Sequence, residues 1–208
     1  MIDSVILDFG NVIINVDPVY TEKKFAEFGI KNFLELYSLS KQLNLFTLLE
    51  TGKITPKEFR TELKNILKTE IDNEKIDEAW NAMLLDIPEE RLATIIKLKT
   101  KKKVYLLSNT NKIHIEYFLN NQKKLWQIDD FKSYFDDIFL SYEIGYRKPQ
   151  KEIYNYLIDK TGIDANKALF IDDNKDNITS ANNIGMHTHL FNNKNETLNE
   201  VLKKYDLL

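Results

Sequence analysis

The segment Val5-Ile6-Leu7-Asp8-Phe9-Gly10-Asn11-Val12 carries an apolar run into an acid and, two residues later, a glycine. Ile2 to Asp8 predicts a fully buried strand, because apolar and polar residues barely alternate and β-branched side chains are prominent. Gly10 then lets the backbone turn sharply. A carboxylate at the C-terminal end of a buried strand stands where open α/β sheets take their ligands, in the crevice beyond the strand ends. One such acid is a weak signal, and by itself reads equally well as a turn-forming Asp before glycine. Three later stretches strengthen it.

Working outward, Lys103-Val104-Tyr105-Leu106-Leu107, Ile138-Phe139-Leu140, Ala168-Leu169-Phe170-Ile171 and His187 to Phe191 predict further short strands. Helical patterns separate them: one starting at Pro88, one from Asn111, one from Pro149 to Gly162, and one ending at Gly185. A terminal helix runs to about Tyr205. This alternation predicts an α/β fold, a Rossmann-like parallel sheet core with helices on both faces. Residues 120–136, mixed aromatic and charged, leave a lid, a helix and an irregular connection all open.

Between the first and second strands the pattern is helical throughout. Tyr20 to Phe28 stops at Gly29, and Phe33 to Glu50 predicts one long helix stopped by Gly52. Thr55-Pro56-Lys57-Glu58 is a capping box with proline at the first helical position. Ile76, Ala79, Trp80 and Met83 form a last stripe, an arrangement that usually means core. The expected organisation is an α/β core from residues 1–14 and 88–208, with residues 15–87 inserted as a helical cap.

Composition narrows the function. The 208 residues are 43% hydrophobic and 12% aromatic, enough for a packed core. The net charge of −3 is spread along the chain with no basic stripe, which argues against a nucleic-acid partner. The absence of cysteine excludes disulfides and thiolate chemistry and suits the cytoplasm. No signal peptide, membrane span or obligate protein partner is evident. His187 and His189 share a strand face but lack a third ligand, and read as structural.

The polar strand ends supply a matched set of groups. Asp8 is a carboxylate that can attack an electrophile. Ser108 and Asn109 offer a hydroxyl, an amide and backbone donors before a helix, which suits an anion. Lys148, held extended by Pro149, is a fixed positive charge, although alone it reads as a surface lysine. Asp172 and Asp173 are adjacent acids that need a cation beside Asp8, and Mg²⁺ suits oxygen ligands. One of the pair also suits a helix N-cap. Together they fit phosphoryl transfer through an aspartyl phosphate, with a small phosphorylated metabolite as partner.

These four motifs, in this order, resemble the haloacid dehalogenase superfamily, which contains mostly phosphatases and often carries a helical cap after the first motif. More narrowly, Leu7-Asp8-Phe9-Gly10-Asn11-Val12, Leu107-Ser108-Asn109-Thr110-Asn111, Gly145-Tyr146-Arg147-Lys148-Pro149 and Asp172-Asp173-Asn174 resemble the bacterial sugar-phosphatase branch that includes α-D-glucose-1-phosphate phosphatase. The resemblance implies a Mg²⁺-dependent phosphatase with Asp8 as nucleophile and Ser108, Asn109 and Lys148 as substrate-binding residues. Asp8, the Gly10 carbonyl, Asp172 and Asp173 would be the metal ligands. Gly10 departs from the superfamily pattern, which has a second Asp there as general acid and base, though the narrower branch shares the glycine. Asn177 stands where many relatives have an acid, with Asp172 expected to supply that charge. Asp17 is a candidate replacement for the missing acid, and also a plain helix cap. Asp17 to Phe25 and Leu43 to Glu50 are expected to set specificity. A receiver domain would place the acid pair first, and a metal-independent haloacid dehalogenase would not use one. A non-catalytic phosphate-ligand binder stays open because of Gly10.

Overall fold

The computed structural model describes residues 1–31, 33 and 44–208. Its five strands, β1 (Ser4–Leu7), β2 (Lys103–Ser108), β3 (Asp137–Leu140), β4 (Ala168–Asp172) and β5 (His187–Leu190), form one parallel sheet in the order β3-β2-β1-β4-β5. The chain builds outward from β1 to β2 and β3, then returns to the other side of β1 with β4. That reversal opens a crevice at the C-terminal ends of the central strands.

The central strands β1, β2 and β4 are apolar on both faces, which is why they look unbroken in sequence. Val5, Leu7, Val104, Leu106, Leu169 and Ile171 join one buried cluster. Ile6, Tyr105, Leu107, Phe170 and Ala168 alternate into the other. The first face is covered by α5 (Glu89–Lys99), α6 (Lys112–Trp126) and α10 (Leu198–Lys204) through residues such as Ile95, Leu98, Phe118 and Val201. The second is covered by α8 (Lys151–Thr161) and α9 (Lys175–Asn183) through Ile153, Tyr154, Leu157 and Ala181. Residues 120–136 finish α6 and then form a 3-10 turn, Phe131–Tyr134, whose Phe131 packs on Phe9, Phe118 and Phe135. Ile128, Phe131 and Phe135 thus anchor an otherwise largely exposed stretch to the core.

The inserted helical cap contains α1 (Pro18–Glu27), α2 (Leu45–Glu50), α3 (Pro56–Leu67) and α4 (Asn73–Asn81). Phe25, Leu45, Leu49, Phe59, Leu63, Ile76 and Trp80 bury one another in a third cluster, joined from the core by Ile113. The Thr55–Glu58 capping box forms as expected. One long helix from Phe33 to Glu50 does not: Asn44 takes a left-handed conformation, φ 56°, so α2 begins only at Leu45, and 34–43 lie outside the described residues. Helix α8 likewise starts at Lys151, two residues after Pro149, because Gln150 is still extended.

Two chain crossings link cap and sheet, and they run side by side. Asn15 N donates to Asp86 O, Leu85 N to Asn15 O, and Asp17 N to Met83 O. A second contact joins the cap to α7 (Ser141–Ile144). Gly52, at φ 64°, lies so close to Tyr142 that an added Cβ would overlap the Tyr142 carbonyl oxygen. Gly52→Ala is expected to cost about 1–3 kcal/mol from left-handed strain and displaced backbone. Thermal unfolding checks this, and a melting temperature equal to that of the parent would count against the contact.

Candidate active site

Three strand ends converge on one ammonium. Lys148 Nζ donates to Asp8 Oδ1 after β1 at 2.7 Å, to the Leu107 carbonyl of β2 at 2.8 Å, and to Asp172 Oδ2 of β4 at 2.7 Å. Lys148 is 1% exposed and Asp172 fully buried. Burial pushes the ammonium down, but Asp8 and Asp172 outweigh it and hold Lys148 above the usual lysine range. Its backbone is clamped as well: Asn109 Nδ2 donates to Lys148 O, and Lys148 N donates to Asn109 Oδ1. The Asn109 amide holds the Lys148 main chain, and all three Lys148 donors have protein acceptors.

The acids divide in the same way. Asp172 accepts from Lys148, from Asn174 N and from Asn177 Nδ2, so both of its oxygens are occupied. Asn177 thus fixes Asp172, while Asn174 caps α9. Asp173 stands exposed beside it, with Oδ2 accepting from Asn11 Nδ2 at 2.8 Å. Asp8 Oδ1 accepts from Lys148 and from Phe9 N, which leaves Oδ2 without a hydrogen bond among the described residues. Burial pushes the Asp8 carboxyl up to about 7, Lys148 pulls it back, and Asp172 and Asp173 add to the rise.

Oxygens of Asp8, Asp172 and Asp173 lie within 4.8 Å of one another. Three carboxylates against one ammonium leave a net charge of −2, the value a divalent cation cancels. An all-oxygen donor set of this charge fits Mg²⁺. Gly10 adds only backbone here.

Ser108, Phe9 and Gly10 also line a cavity of about 210 Å³ between sheet and cap. The Ser108 hydroxyl makes no hydrogen bond among the described residues, although the residue is 2% exposed. Trp80, His114 and Glu50 close the far side. His114 stacks on Trp80 with ring centroids 5.2 Å apart and bonds Asn81 Oδ1 through Nδ1 at 2.8 Å. Burial pushes it down to about 3, so it is neutral at ordinary pH. Glu50 faces Arg147, Oε2 to Nε 3.1 Å, and burial raises its carboxyl while Arg147 and Lys148 lower it. The sequence reading missed Arg147, His114 and Trp80. The adjacency of Arg147 to Lys148 was the available signal. Asp17 caps α1 through Val19 N and lines a second hollow together with Asn11 and Asp173. His187 and His189 bond Asn166 O and Glu196 respectively, as structural histidines do.

A parallel sheet with a helical insertion after β1, an acid at the end of β1 and a lysine bridging to an acid pair define a hydrolase class. The chain belongs to the haloacid dehalogenase-like hydrolases, whose family model matches residues 2–185. It is 30% identical over 193 residues to a D-ribitol-5-phosphate phosphatase of Bacteroides thetaiotaomicron, covering 90% of this chain and 91% of that protein. It is similar to a HAD family enzyme of the same species solved in complex with magnesium and inorganic phosphate. There the TM-score is 0.87 at 33% identity, covering 97% of this chain and 99% of that one. A predicted HAD-like family hydrolase from Porphyromonas gingivalis gives TM-score 0.88 at 27% identity, covering 99% and 98%. Among the described residues, no helix is long and apolar enough to cross a membrane.

The raised Asp8 carboxyl has a sign that can be measured without substrate. An acid whose folded pKa lies above its unfolded one contributes stability at low pH that is lost as pH rises, here between about 4 and about 7. Without Mg²⁺, the melting temperature should therefore fall across that window, and Asp8→Asn should flatten the fall. Added Mg²⁺ should raise the melting temperature more at about pH 8 than at about pH 5, and Asp173→Ala should abolish that rise. Differential scanning fluorimetry reads all four; an Mg²⁺ effect that survives Asp173→Ala contradicts the assignment.

Proposed function

We propose that this hydrolase is a Mg²⁺-dependent phosphatase acting on a small phosphorylated metabolite, a sugar or sugar-alcohol phosphate, in the cytoplasm. The observation that carries the proposal is Asp8 at the end of β1, with one oxygen held by Lys148 and Phe9 N and the other free. The fit of the net −2 carboxylate set to Mg²⁺ supports it, as does the likeness to a relative bound to magnesium and phosphate. The named relative acts on D-ribitol 5-phosphate, and the motif resemblance points to sugar 1-phosphates; both are polyhydroxylated.

In this reading Asp8 Oδ2 attacks phosphorus, the P–O bond to the leaving group breaks, and the leaving oxygen takes a proton from water. A second water then attacks the aspartyl phosphate, giving inorganic phosphate and restoring the carboxylate. Lys148 keeps Asp8 Oδ1 turned inward, so that the other oxygen faces the crevice. The Ser108 hydroxyl, without a protein partner, donates to a phosphoryl oxygen. Asp172 holds Lys148, and Asn109 fixes the Lys148 backbone. Mg²⁺, held by Asp8, Asp173, Asp172 and the Gly10 carbonyl, would neutralise charge between the carboxylates and the phosphate. We place the cap at residues 15–87, where it covers the leaving group and excludes water.

The same proposal covers the missing acid. A Cβ added to Gly10 meets nothing nearer than Val16 Cγ2 at 3.6 Å, an ordinary contact, so the backbone there accepts a Cβ without a clash. A positioned general acid gives about 10²–10⁴-fold. Gly10→Asp should therefore raise kcat on alkyl phosphates and leave aryl phosphates, whose leaving groups need little protonation, nearly unchanged. An equal change on both would show that protonation does not limit the rate.

Phosphate release from a panel of phosphorylated metabolites, with Mg²⁺ and with excess chelator, tests the function. Asp8→Asn should lose all turnover while keeping the parent's circular dichroism spectrum. Ligand binding by the parent without any phosphate release would instead favour the non-catalytic reading that Gly10 raises.

A further inference from the structure

At the contact between cap and sheet, Glu50 Oε2 and Arg147 Nε are buried 3.1 Å apart as an ion pair without an aligned hydrogen bond, and Trp80 Nε1 is buried without a hydrogen bond among the described residues. Buried polar atoms are seldom left unsatisfied, and each such case calls for a reason. Glu50 and Trp80 line the 210 Å³ cavity together with His114, whose Nε2 also has no partner among the described residues. Because Asn81 Oδ1 accepts from Nδ1 and the ring is neutral, Nε2 is a bare acceptor. The Glu50 carboxylate and His114 Nε2 thus stand as acceptors beside a largely apolar stretch of the lining formed by Phe9, Ile14, Met83 and Leu84.

We propose that Glu50 is a specificity-determining residue that takes hydroxyl groups of the leaving group, and that Arg147 holds it in place. This rests on the phosphatase reading above. Arg147 reaches the cap twice, through Nε to Glu50 and through Nη1 to Thr47 Oγ1 at 3.2 Å. Its guanidinium already balances the Glu50 charge, so a cationic leaving group gains little there. A hydroxyl can donate, and so can serve the acceptors of Glu50 and His114 alike. The cavity is small, which limits the leaving group to a few carbons. Arg147 also directly precedes Lys148, so the residue that seats the cap adjoins the one that orients Asp8.

The test compares kcat/KM for a pentitol phosphate, butyl phosphate and phenyl phosphate in the parent, Glu50→Gln and Glu50→Ala, with melting temperatures as a folding check. A lost hydrogen bond to a charged group corresponds to about 10–150-fold. The pentitol-to-butyl selectivity ratio should therefore collapse by about that factor in both variants, while the butyl-to-phenyl ratio is kept. An unchanged pentitol-to-butyl ratio would reduce Glu50 to a structural latch and overturn the proposal. A falling butyl-to-phenyl ratio would overturn it differently, by making Glu50 the leaving-group acid. A parent enzyme that prefers butyl to pentitol phosphate defeats the substrate class itself, and one that releases phosphate from none of the three defeats the phosphatase reading.

Discussion

A buried ammonium must find partners or lose its charge, and Lys148 finds them at the ends of three adjacent strands. Removing one partner from such a cluster is far more damaging than its net contribution suggests, because the remaining charges stay buried and uncompensated. The arrangement is possible only because β1, β2 and β4 are neighbours and parallel, so that Asp8, the Leu107 carbonyl and Asp172 emerge at one level. The protein then adds Asp173 and arrives at an excess of two negative charges. The fold and the demand for a divalent cation are thus two consequences of one topology.

Sheet and cap divide the work. The sheet supplies fixed charges whose positions are set by short hydrogen bonds and by near-complete burial. The cap supplies a mostly apolar roof built from aromatic residues, with Trp80 stacked on Phe46 inside it and on His114 at the boundary. Among the described residues, the contacts between the two units include the paired crossings at Asn15 and Asp17, the packing of Ile113 and His114 against the cap, the close approach at Gly52, and the reach of Arg147 to Glu50 and Thr47. Such a seam fixes the register of the cap over the strand ends.

The parallel sheet was legible because β1, β2 and β4 are apolar on both faces and run into polar residues at Asp8, Ser108 and Asp172. The convergence of Asp8, Ser108, Lys148 and Asp172-Asp173 was legible from their order alone. What the sequence concealed was how the polar groups share hydrogen bonds. Asn109 looked like an anion donor, yet its amide closes on the Lys148 main chain, and nothing local distinguishes the two uses. Residues 120–136 defied a pattern reading because their aromatic residues pack around the turn at Phe131 rather than along a helix face. The left-handed Asn44 broke a stripe that looked continuous. Arg147, Trp80 and His114 matter through tertiary partners that lie far away in the chain, so spacing could not reveal them.

The central claim is that the Asp8 carboxylate, kept turned by Lys148, takes the phosphoryl group itself. The most direct measurement is acid quenching during steady-state turnover with Mg²⁺, followed by peptide mass spectrometry. The account predicts one phosphoryl group on the peptide that contains Asp8, present with substrate and absent after chelation. Rapid phosphate release with that peptide unmodified at every quench time would contradict it.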